Sequence, residues 1–245
     1  MSRIDYISIE GLRIDGRRKD ELRNTKIFFG SETSVDFLNY DGVSEILQGL
    51  NKLEVKGVKN VYGILEEKVD IQCEILLSTD KKVKNSPNER LIKDLAMAVK
   101  STYQEMIISH CYKTSAISIF INIIEYDGSI KSTVLNAVGL ALIDAGVSLK
   151  DIVSSSTVSY LDSTVLMDPN QMEINASTAT LCIAFSSSNN NIIYMDYKSK
   201  IALEDFKSLF DSCLAGSRIF TEYVRQRLIN YANKAVTLNL KIHSN

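Results

Sequence analysis

The sequence has 245 residues, which is enough for one large domain or two small ones, and 45% of them are hydrophobic and 24% charged. These proportions are typical of a globular protein and exclude a disordered chain. The net charge of −2 at pH 7 argues against a protein that binds a phosphate backbone through its overall charge. Any nucleic-acid binding must therefore rest on a local arginine cluster or on a surface shared with a partner.

The four cysteines, Cys73, Cys111, Cys182 and Cys213, are widely spaced and form no CxxC pair. This spacing argues against a zinc site or a thioredoxin-type motif and predicts free thiols in a reducing compartment. No apolar run reaches the roughly 18 residues that cross a bilayer, and the N-terminus has no signal-peptide core. We therefore predict a soluble intracellular protein with no membrane contact and no metal site.

Hydrophobic periodicity predicts the elements of the first half in chain order. The predicted strands are short ones at 25–29 and 34–39, a strand pair at 43–57, and longer strands at 69–78 and 115–126. One helix is predicted after 85, with apolar residues from Leu91 to Met106 at helical spacing. A second helix is predicted from Ser132 to Ala145, and Gly146 ends it.

The second half is predicted to contain further strands and a long helical region. The strands fall at 154–161, 164–168, 178–185 and 192–197, and the helical region runs from about 203 to 232 with a break near Gly216. Strands precede helices in each half, which does not fit the strict alternation of a doubly wound sheet. We predict an α/β (α+β) fold, with mixed sheets and packed helices in a single domain over 1–245. An N-terminal arm is predicted at about 1–24.

The stretch at 11–18, Gly-Leu-Arg-Ile-Asp-Gly-Arg-Arg, followed by Glu21 and Arg23, carries more charge than a core strand tolerates. It resembles the opening signature of the RNase PH family, G-x-R-x-D-G-R-x-x-x-E-x-R. A second stretch, Leu-Ala-Leu-Ile-Asp-Ala-Gly at 140–146, is similar to a helix end shared by RNase PH and by exosome ring subunits of the archaeal catalytic type. The resemblance implies the RNase PH fold in two sheet-and-helix halves.

The resemblance also implies a phosphate pocket at the start of a helix, where active members have Asp-Gly-Gly-Thr-Arg. Free N–H groups at a helix N-terminus and a bidentate arginine suit a doubly charged phosphate. This chain has Asp-Gly-Ser-Ile-Lys at 127–131, and we interpret Gly128, Ser129 and Lys131 as a remnant of that pocket. Lys131 keeps the charge of the arginine but loses its planar fork. The alternative for Lys131 is a solvated charge at the helix start.

Active members further carry two carboxylates, six residues apart, after a strand-end aspartate. Asp168 matches that aspartate, so the pair falls at Ile174 and Thr180, and neither is an acid. Glu173 is adjacent and acidic, and it is the one candidate for a catalytic remnant. A misplacement of about 1 Å can already lower the rate of catalysis greatly. We therefore predict Glu173 as a remnant only, and no working catalytic residue. In its other interpretation Asp168 is a turn or cap residue before Pro169.

Basic residues carry the predicted RNA-binding surface. Arg90 matches a helix-start arginine that, in the family, faces a central pore and contacts RNA phosphates. The resemblance gives Arg13, Arg17 and Arg18 a similar role, in which a single strand is guided without its bases being read. An equal alternative is structural: Asp15 pairs with one arginine, and the cluster fastens the N-terminal arm to a neighbouring subunit.

The changes in the phosphate pocket and in the carboxylate pair favour a non-catalytic ring subunit of the RNA exosome. The resemblance implies a second RNase PH-like subunit as its partner in a six-membered ring, cap subunits with RNA-binding domains, and a hydrolytic ribonuclease. Single-stranded RNA would be threaded through the central pore to that separate 3′-5′ ribonuclease for processing, including that of rRNA, and for decay. We expect no cofactor, and a location in the nucleus, including the nucleolus, and in the cytoplasm.

Two other functions stay open. An active phosphate-dependent 3′-5′ exoribonuclease would release nucleoside diphosphates, with inorganic phosphate as co-substrate, Mg²⁺ as a candidate cofactor, and Lys131 and Glu173 as the working residues. An unrelated α/β interaction protein is compatible with the weak catalytic motifs, but the two matched stretches argue against it.

Overall fold

The computed structural model describes residues 6–8, 10–29, 43–48, 51–62, 69–77, 87–112, 115–199 and 205–243. Its strands and α-helices are, in chain order, β1 (Thr25–Phe29), β2 (Val43–Gln48), β3 (Asn51–Tyr62), β4 (Asp70–Leu77), α1 (Pro87–Met106), β5 (Ser115–Glu125), α2 (Ile130–Asp144), β6 (Val153–Leu161), β7 (Thr164–Met167), α3 (Gln171–Ala176), β8 (Ala179–Ser186), β9 (Ile192–Ser199) and α4 (Phe206–His243). A short 3-10 helix, Ser109–Cys111, follows α1.

The first sheet has the strand order β1-β2-β3-β5-β4. Its neighbouring strands are antiparallel except β4 and β5, which are parallel. A parallel pair needs a crossover connection, and α1 provides it. Along β5, Ile117, Ile119, Ile121 and Ile123 are all buried, because every second side chain of a strand points to the same face. This row of isoleucines forms the centre of the first core.

The second sheet has the order β7-β6-β8-β9 and is antiparallel throughout. Helix α2 contacts strands of both sheets, and α4 packs against β6, β7 and β8. Every residue of α2 from Ser132 to Leu142 is buried, which is typical of a helix enclosed on all sides. Its polar Asn136 is satisfied, because Nδ2 donates to the Ser155 carbonyl (3.0 Å) and Oδ1 accepts from the Ser155 N–H (2.8 Å).

The predicted mixed sheets with packed helices are confirmed, and the predicted strand at 34–39 lies outside the described residues. The periodicity does not predict α3, because six residues are too few to show a helical repeat. The predicted break near Gly216 is wrong, since α4 is continuous through it. A Cβ on Gly216 would lie 2.5 Å from Ser156 Oγ, so this glycine allows α4 to approach β6 closely. No helix in the described ranges is long and apolar enough to cross a membrane.

Two buried serines of β6 that face α4 provide a matched test of this packing. Ser154 Oγ donates to the Ser217 carbonyl (2.7 Å), whereas Ser156 Oγ has no hydrogen-bond partner among the described residues. An unpaired buried hydroxyl is unfavourable by about 1–3 kcal/mol. We expect Ser156→Ala to leave the free energy of unfolding unchanged or to raise it, and Ser154→Ala to lower it by about 1 kcal/mol. Denaturant unfolding measures both, and equal losses would contradict this account.

Candidate functional site

Arg13 fastens the N-terminal segment to the loop and helix that follow β7. Its Nε donates to Glu173 Oε1 (2.8 Å), its Nη1 donates to the Met167 carbonyl (2.6 Å), and its Nη2 pairs with Glu173 Oε2. Both charged side chains have 0% exposed surface. Glu173 also closes a capping box at the start of α3, because its Oε2 accepts from the Asn170 N–H (2.8 Å). Each Glu173 oxygen therefore binds structural donors.

Asp168, at the end of β7, forms the second anchor. Its Oδ2 accepts from the Arg23 N–H and Nε (both 3.0 Å) and from Gln48 Nε2 (2.9 Å), and its Oδ1 accepts from Arg23 Nη2 (2.7 Å). Burial would raise the pKa of Asp168, but the hydrogen bonds and the charge of Arg23, together with Gln48, hold that pKa below its ordinary value. Asp168 is thus a buried, ionised partner of Arg23 rather than a simple turn or cap residue.

The loop before α2 packs directly on the loop after β7. Arg23 donates to the carbonyls of Asp127 (2.5 Å) and Gly128 (3.3 Å). Gly128 has a φ of +70°, and a Cβ there would lie 2.5 Å from the Pro169 carbonyl oxygen, so only glycine fits. Ser129, with a φ of 50°, donates from its Oγ to the same carbonyl (2.8 Å). These contacts fix where the first turn of α2 begins.

A cavity of about 210 Å³ opens beside that first turn. Residues from three helices, from the loop before α2 and from strands β6, β8 and β9 line it: Leu91, Gly128, Ser129, Ile130, Lys131, Thr157, Gln171, Ile174, Thr180, Cys182, Asp196 and Lys198. On its sheet side, Cys182 stands opposite Asp196, and Thr180 stands opposite Lys198. Directly opposed residues of neighbouring strands point to one face, so these four side chains lie on the side of the sheet that faces the cavity.

Lys131, in the first turn of α2, is paired with Asp196. Burial lowers the pKa of Lys131, but the hydrogen bond and the charge of Asp196 outweigh burial and raise the pKa above its ordinary value. Lys131 is therefore protonated at neutral pH, and its charge is balanced within the chain. Burial raises the pKa of Cys182 to about 11, so this thiol is uncharged. Among the described residues that line the cavity, Asp196 is the single carboxylate.

The predicted pocket residues Gly128, Ser129 and Lys131 do come together in this cavity. Ile174 and Thr180, the two positions at which the resemblance implies carboxylates, line the same cavity. A branched apolar side chain and a hydroxyl thus occupy the positions expected for acids.

Glu173 does not line this cavity. Neighbouring residues of an α-helix point about 100° apart, so Glu173 faces the buried Arg13 while Ile174 faces the cavity. The fully buried ion pair conflicts with the prediction that Glu173 is a catalytic remnant. Its role in the described structure is to hold Arg13 and to cap α3.

The arginines predicted to contact RNA fall into two groups. Arg13 is fully buried, and the Arg17 side chain is 11% exposed and pairs with Asp15 (2.6 Å). Because both side chains are bound within the chain, they are poorly placed for direct RNA contact. The predicted pairing of Asp15 with an arginine is present, and the fastening of the arm to a neighbouring subunit stays a prediction. Arg18 and Arg90 are exposed, and for these two RNA contact stays a prediction.

Sequence reasoning missed Asp196 and the polar residues of the β2–β3 hairpin. Asp196 and Lys198 are two apart in a strand, which indicates a shared face but not what stands opposite. Asn51 Nδ2 donates to the Gly128 carbonyl (2.8 Å), and Asn51 Oδ1 accepts from the Asp127 N–H (2.5 Å). The one feature of the sequence that could point to Asn51 is the presence of an amide side chain at the start of a strand.

Solved structures with the same architecture define the class of fold. Rice Rrp46 superimposes with a TM-score of 0.75 at 23% identity, covering 88% of this chain and 99% of that one. A structure described as the Archaeoglobus fulgidus exosome with RNA bound to the active site gives a TM-score of 0.71 at 20% identity, covering 88% and 93%. These similarities establish an RNase PH-type fold.

Sequence comparison establishes the family. Residues 22–148 match domain 1 and residues 151–211 match domain 2 of the 3′ exoribonuclease family, RNase PH. The chain is 32% identical to the exosome complex component SKI6 of Saccharomyces cerevisiae, covering 97% of this chain and 98% of that protein. It is 31% identical to ski6 of Schizosaccharomyces pombe, covering 89% and 90%. The chain therefore belongs to the RNase PH family, as its opening signature predicts.

The buried Arg13–Glu173 pair predicts a large effect on stability. Glu173→Gln keeps the shape but leaves a buried guanidinium without a counter-charge, so we expect the free energy of unfolding to fall by about 3–5 kcal/mol. Arg13→Met combined with Glu173→Gln should lose less than the sum of the two single losses. Denaturant unfolding of the two single variants and the double variant measures this coupling. The exposed control Asp15→Asn should lose about 1 kcal/mol or less, and a Glu173→Gln protein as stable as that control would refute the assignment.

The lowered pKa of Asp168 predicts a loss of stability in acid. A carboxyl whose folded pKa lies below its unfolded value of about 3.9 stabilises the fold above that value. This contribution disappears as pH falls through the folded pKa. The free energy of unfolding should therefore decline as pH drops below about 5, and the decline should be shallower in Asp168→Asn. Denaturant titrations between pH 3 and pH 7 test this, and equal pH slopes would show that Asp168 does not contribute.

Proposed function

We propose that this chain is a non-catalytic RNase PH-like ring subunit of an RNA exosome. It contributes to a central pore that threads single-stranded RNA to a separate 3′-5′ ribonuclease for processing and decay. The similarity to SKI6 over nearly the whole of both chains supports the exosome assignment. The residues that line the cavity support the loss of phosphorolytic activity.

One observation carries the non-catalytic part of the proposal. Ile174 and Thr180 line the cavity beside Lys131, at the places where phosphorolysis would need carboxylates to act on phosphate or a metal. An isoleucine side chain neither transfers a proton nor binds a cation, and a threonine hydroxyl is a poor general acid. Glu173, the acid next to Ile174 in the sequence, is bound by Arg13 outside the cavity, and Asp196, which does line the cavity, is paired with Lys131. The active-exoribonuclease alternative thus loses the carboxylate on which it depended.

The partners in this proposal are those of a ring subunit. They are a second RNase PH-like subunit in a six-membered ring, cap subunits with RNA-binding domains, and a hydrolytic ribonuclease. Exposed Ile219, Tyr223 and Ile229 on α4 suit burial against a protein partner. Exposed Arg18 and Arg90 supply phosphate contacts for RNA. No cofactor is required, and the protein acts in the nucleus, including the nucleolus, and in the cytoplasm.

The test is a phosphorolysis assay on the full chain assembled with its RNase PH-like partner. Single-stranded RNA labelled at its 5′ end is incubated with and without inorganic phosphate. We expect RNA binding without shortening, because the acids needed at positions 174 and 180 are missing. Phosphate-dependent shortening with nucleoside diphosphate release, abolished by Lys131→Ala, would refute the proposal and support the active enzyme.

RNA affinity of the same complex, measured over a range of salt concentrations, compares two exposed cations of α1. Arg90→Ala should weaken RNA binding and reduce the salt dependence of affinity by about 0.7 logarithmic units per decade of salt, as expected for one lost phosphate contact. Lys93→Ala is the matched control, since Lys93 is exposed on the same helix and is paired with Glu89 at 2.8 Å. Equal effects of the two variants would argue against a specific RNA contact at Arg90.

A further inference from the structure

The Lys131–Asp196 pair lies at a cavity where the chain brings a helix N-terminus, two lysines and hydroxyl groups together. Asp196 reaches this cavity from β9, where it stands opposite Cys182. Lys131 reaches it from the first turn of α2. The side chains of the pair are 16% and 26% exposed, so the contact is largely screened from water by the cavity walls.

The charges around this pair have a simple distribution. Asp196 is the single carboxylate among the described lining residues, and the Cys182 thiol beside it is neutral. Lys198 is exposed at the rim. The inner cation of the cavity, Lys131, is therefore balanced by a group of the chain itself, and the remaining cation faces solvent, where its field is weakened.

We infer that Asp196 acts as an internal counter-anion that occupies Lys131 and keeps phosphate groups out of the cavity. This inference deepens the proposed function and rests on it, because it explains why the altered site would not hold the co-substrate. The chain still has a cavity, a lysine and a helix start at this place. The Asp196 carboxylate offsets the attraction that those groups would exert on a free anion.

Two physical arguments favour the internal carboxylate over a free anion. A phosphate beside Lys131 would also stand beside the negative charge of Asp196, and like charges at such distances repel strongly where water is scarce. A free anion also loses translational and rotational freedom when it binds. Asp196 bears no such loss, because β9 already holds it in place. Both effects act in the same direction and lower the affinity of the cavity for phosphate.

The experiment removes the charge of Asp196 and measures phosphate binding. Inorganic phosphate is titrated by calorimetry into the full chain assembled with its RNase PH-like partner. We expect Asp196→Asn to bind phosphate at least about tenfold more tightly than the unaltered complex, because the amide keeps the shape and removes the repulsion. The gain should disappear in Lys131→Met/Asp196→Asn, which also subtracts any phosphate bound by the partner. Asp196→Ser serves as a second variant, and circular dichroism verifies folding of each.

A matched control separates a local effect from a general change of charge. Asp70→Asn removes one negative charge from an exposed ion pair with Lys100 (3.7 Å), outside the cavity. It should leave phosphate binding unchanged. Equal phosphate affinity in the unaltered and Asp196→Asn complexes, an equal gain in Asp70→Asn, or a gain that survives the loss of Lys131 would each overturn the inference.

The outcomes also separate this inference from the proposed function. If Asp196→Asn gains no phosphate affinity and the unaltered complex does not shorten RNA, the inference fails and the non-catalytic function stands. If the unaltered complex shortens RNA with phosphate, the proposed function fails. If Asp196→Asn binds phosphate and still leaves RNA intact, both stand, and the missing acids at positions 174 and 180 become the remaining barrier to chemistry.

Discussion

The arrangement of the site depends on one buried carboxylate, that of Asp168. Asp168 directly follows β7 of the second sheet and accepts hydrogen bonds from Arg23, in the segment before β1, and from Gln48, in β2 of the first sheet. The same Arg23 holds the carbonyls of the loop that opens α2. A buried ion pair is tolerated when its remaining hydrogen-bonding capacity is also satisfied, and here it is. Asp168 thus links the two halves of the chain, because groups from the first half satisfy its buried carboxylate.

The Arg13–Glu173 pair shows that the opening signature has a structural role. The charged residues of the signature form ion pairs within this chain: Arg13 binds Glu173, Asp15 binds Arg17, and Arg23 binds Asp168. None of these contacts needs a substrate. A chain can therefore keep the whole signature while Ile174 and Thr180 line the cavity at the positions where the resemblance implies acids. The signature identifies how the N-terminal segment is anchored, and it does not report whether the site is active.

The sequence predicts what depends on neighbours along the chain and misses what depends on pairing across it. The isoleucine alternation of β5 and the closed apolar face of α2 are local patterns, and both elements form as predicted. Gly216 breaks no helix, because its role is set by Ser156, which lies 60 residues earlier and is brought close only by the fold. The sequence does not predict the ion pairs of Glu173 and Asp196 for the same reason, since their partners Arg13 and Lys131 lie 160 and 65 residues away. The prediction that Gly128, Ser129 and Lys131 share one site came from the family resemblance and not from hydrophobic periodicity.

The shape of the cavity and its chemistry depend on different residues. Gly128 is required by the close approach of two loop backbones, and Asn51 and Arg23 hold the same loop from the other side. These constraints belong to the fold and act whether or not phosphate is bound. These loop contacts do not involve the residues that face the opening, which are Lys131, Ile174, Thr180 and Asp196. The contacts that position these loops therefore do not decide which side chains line the cavity.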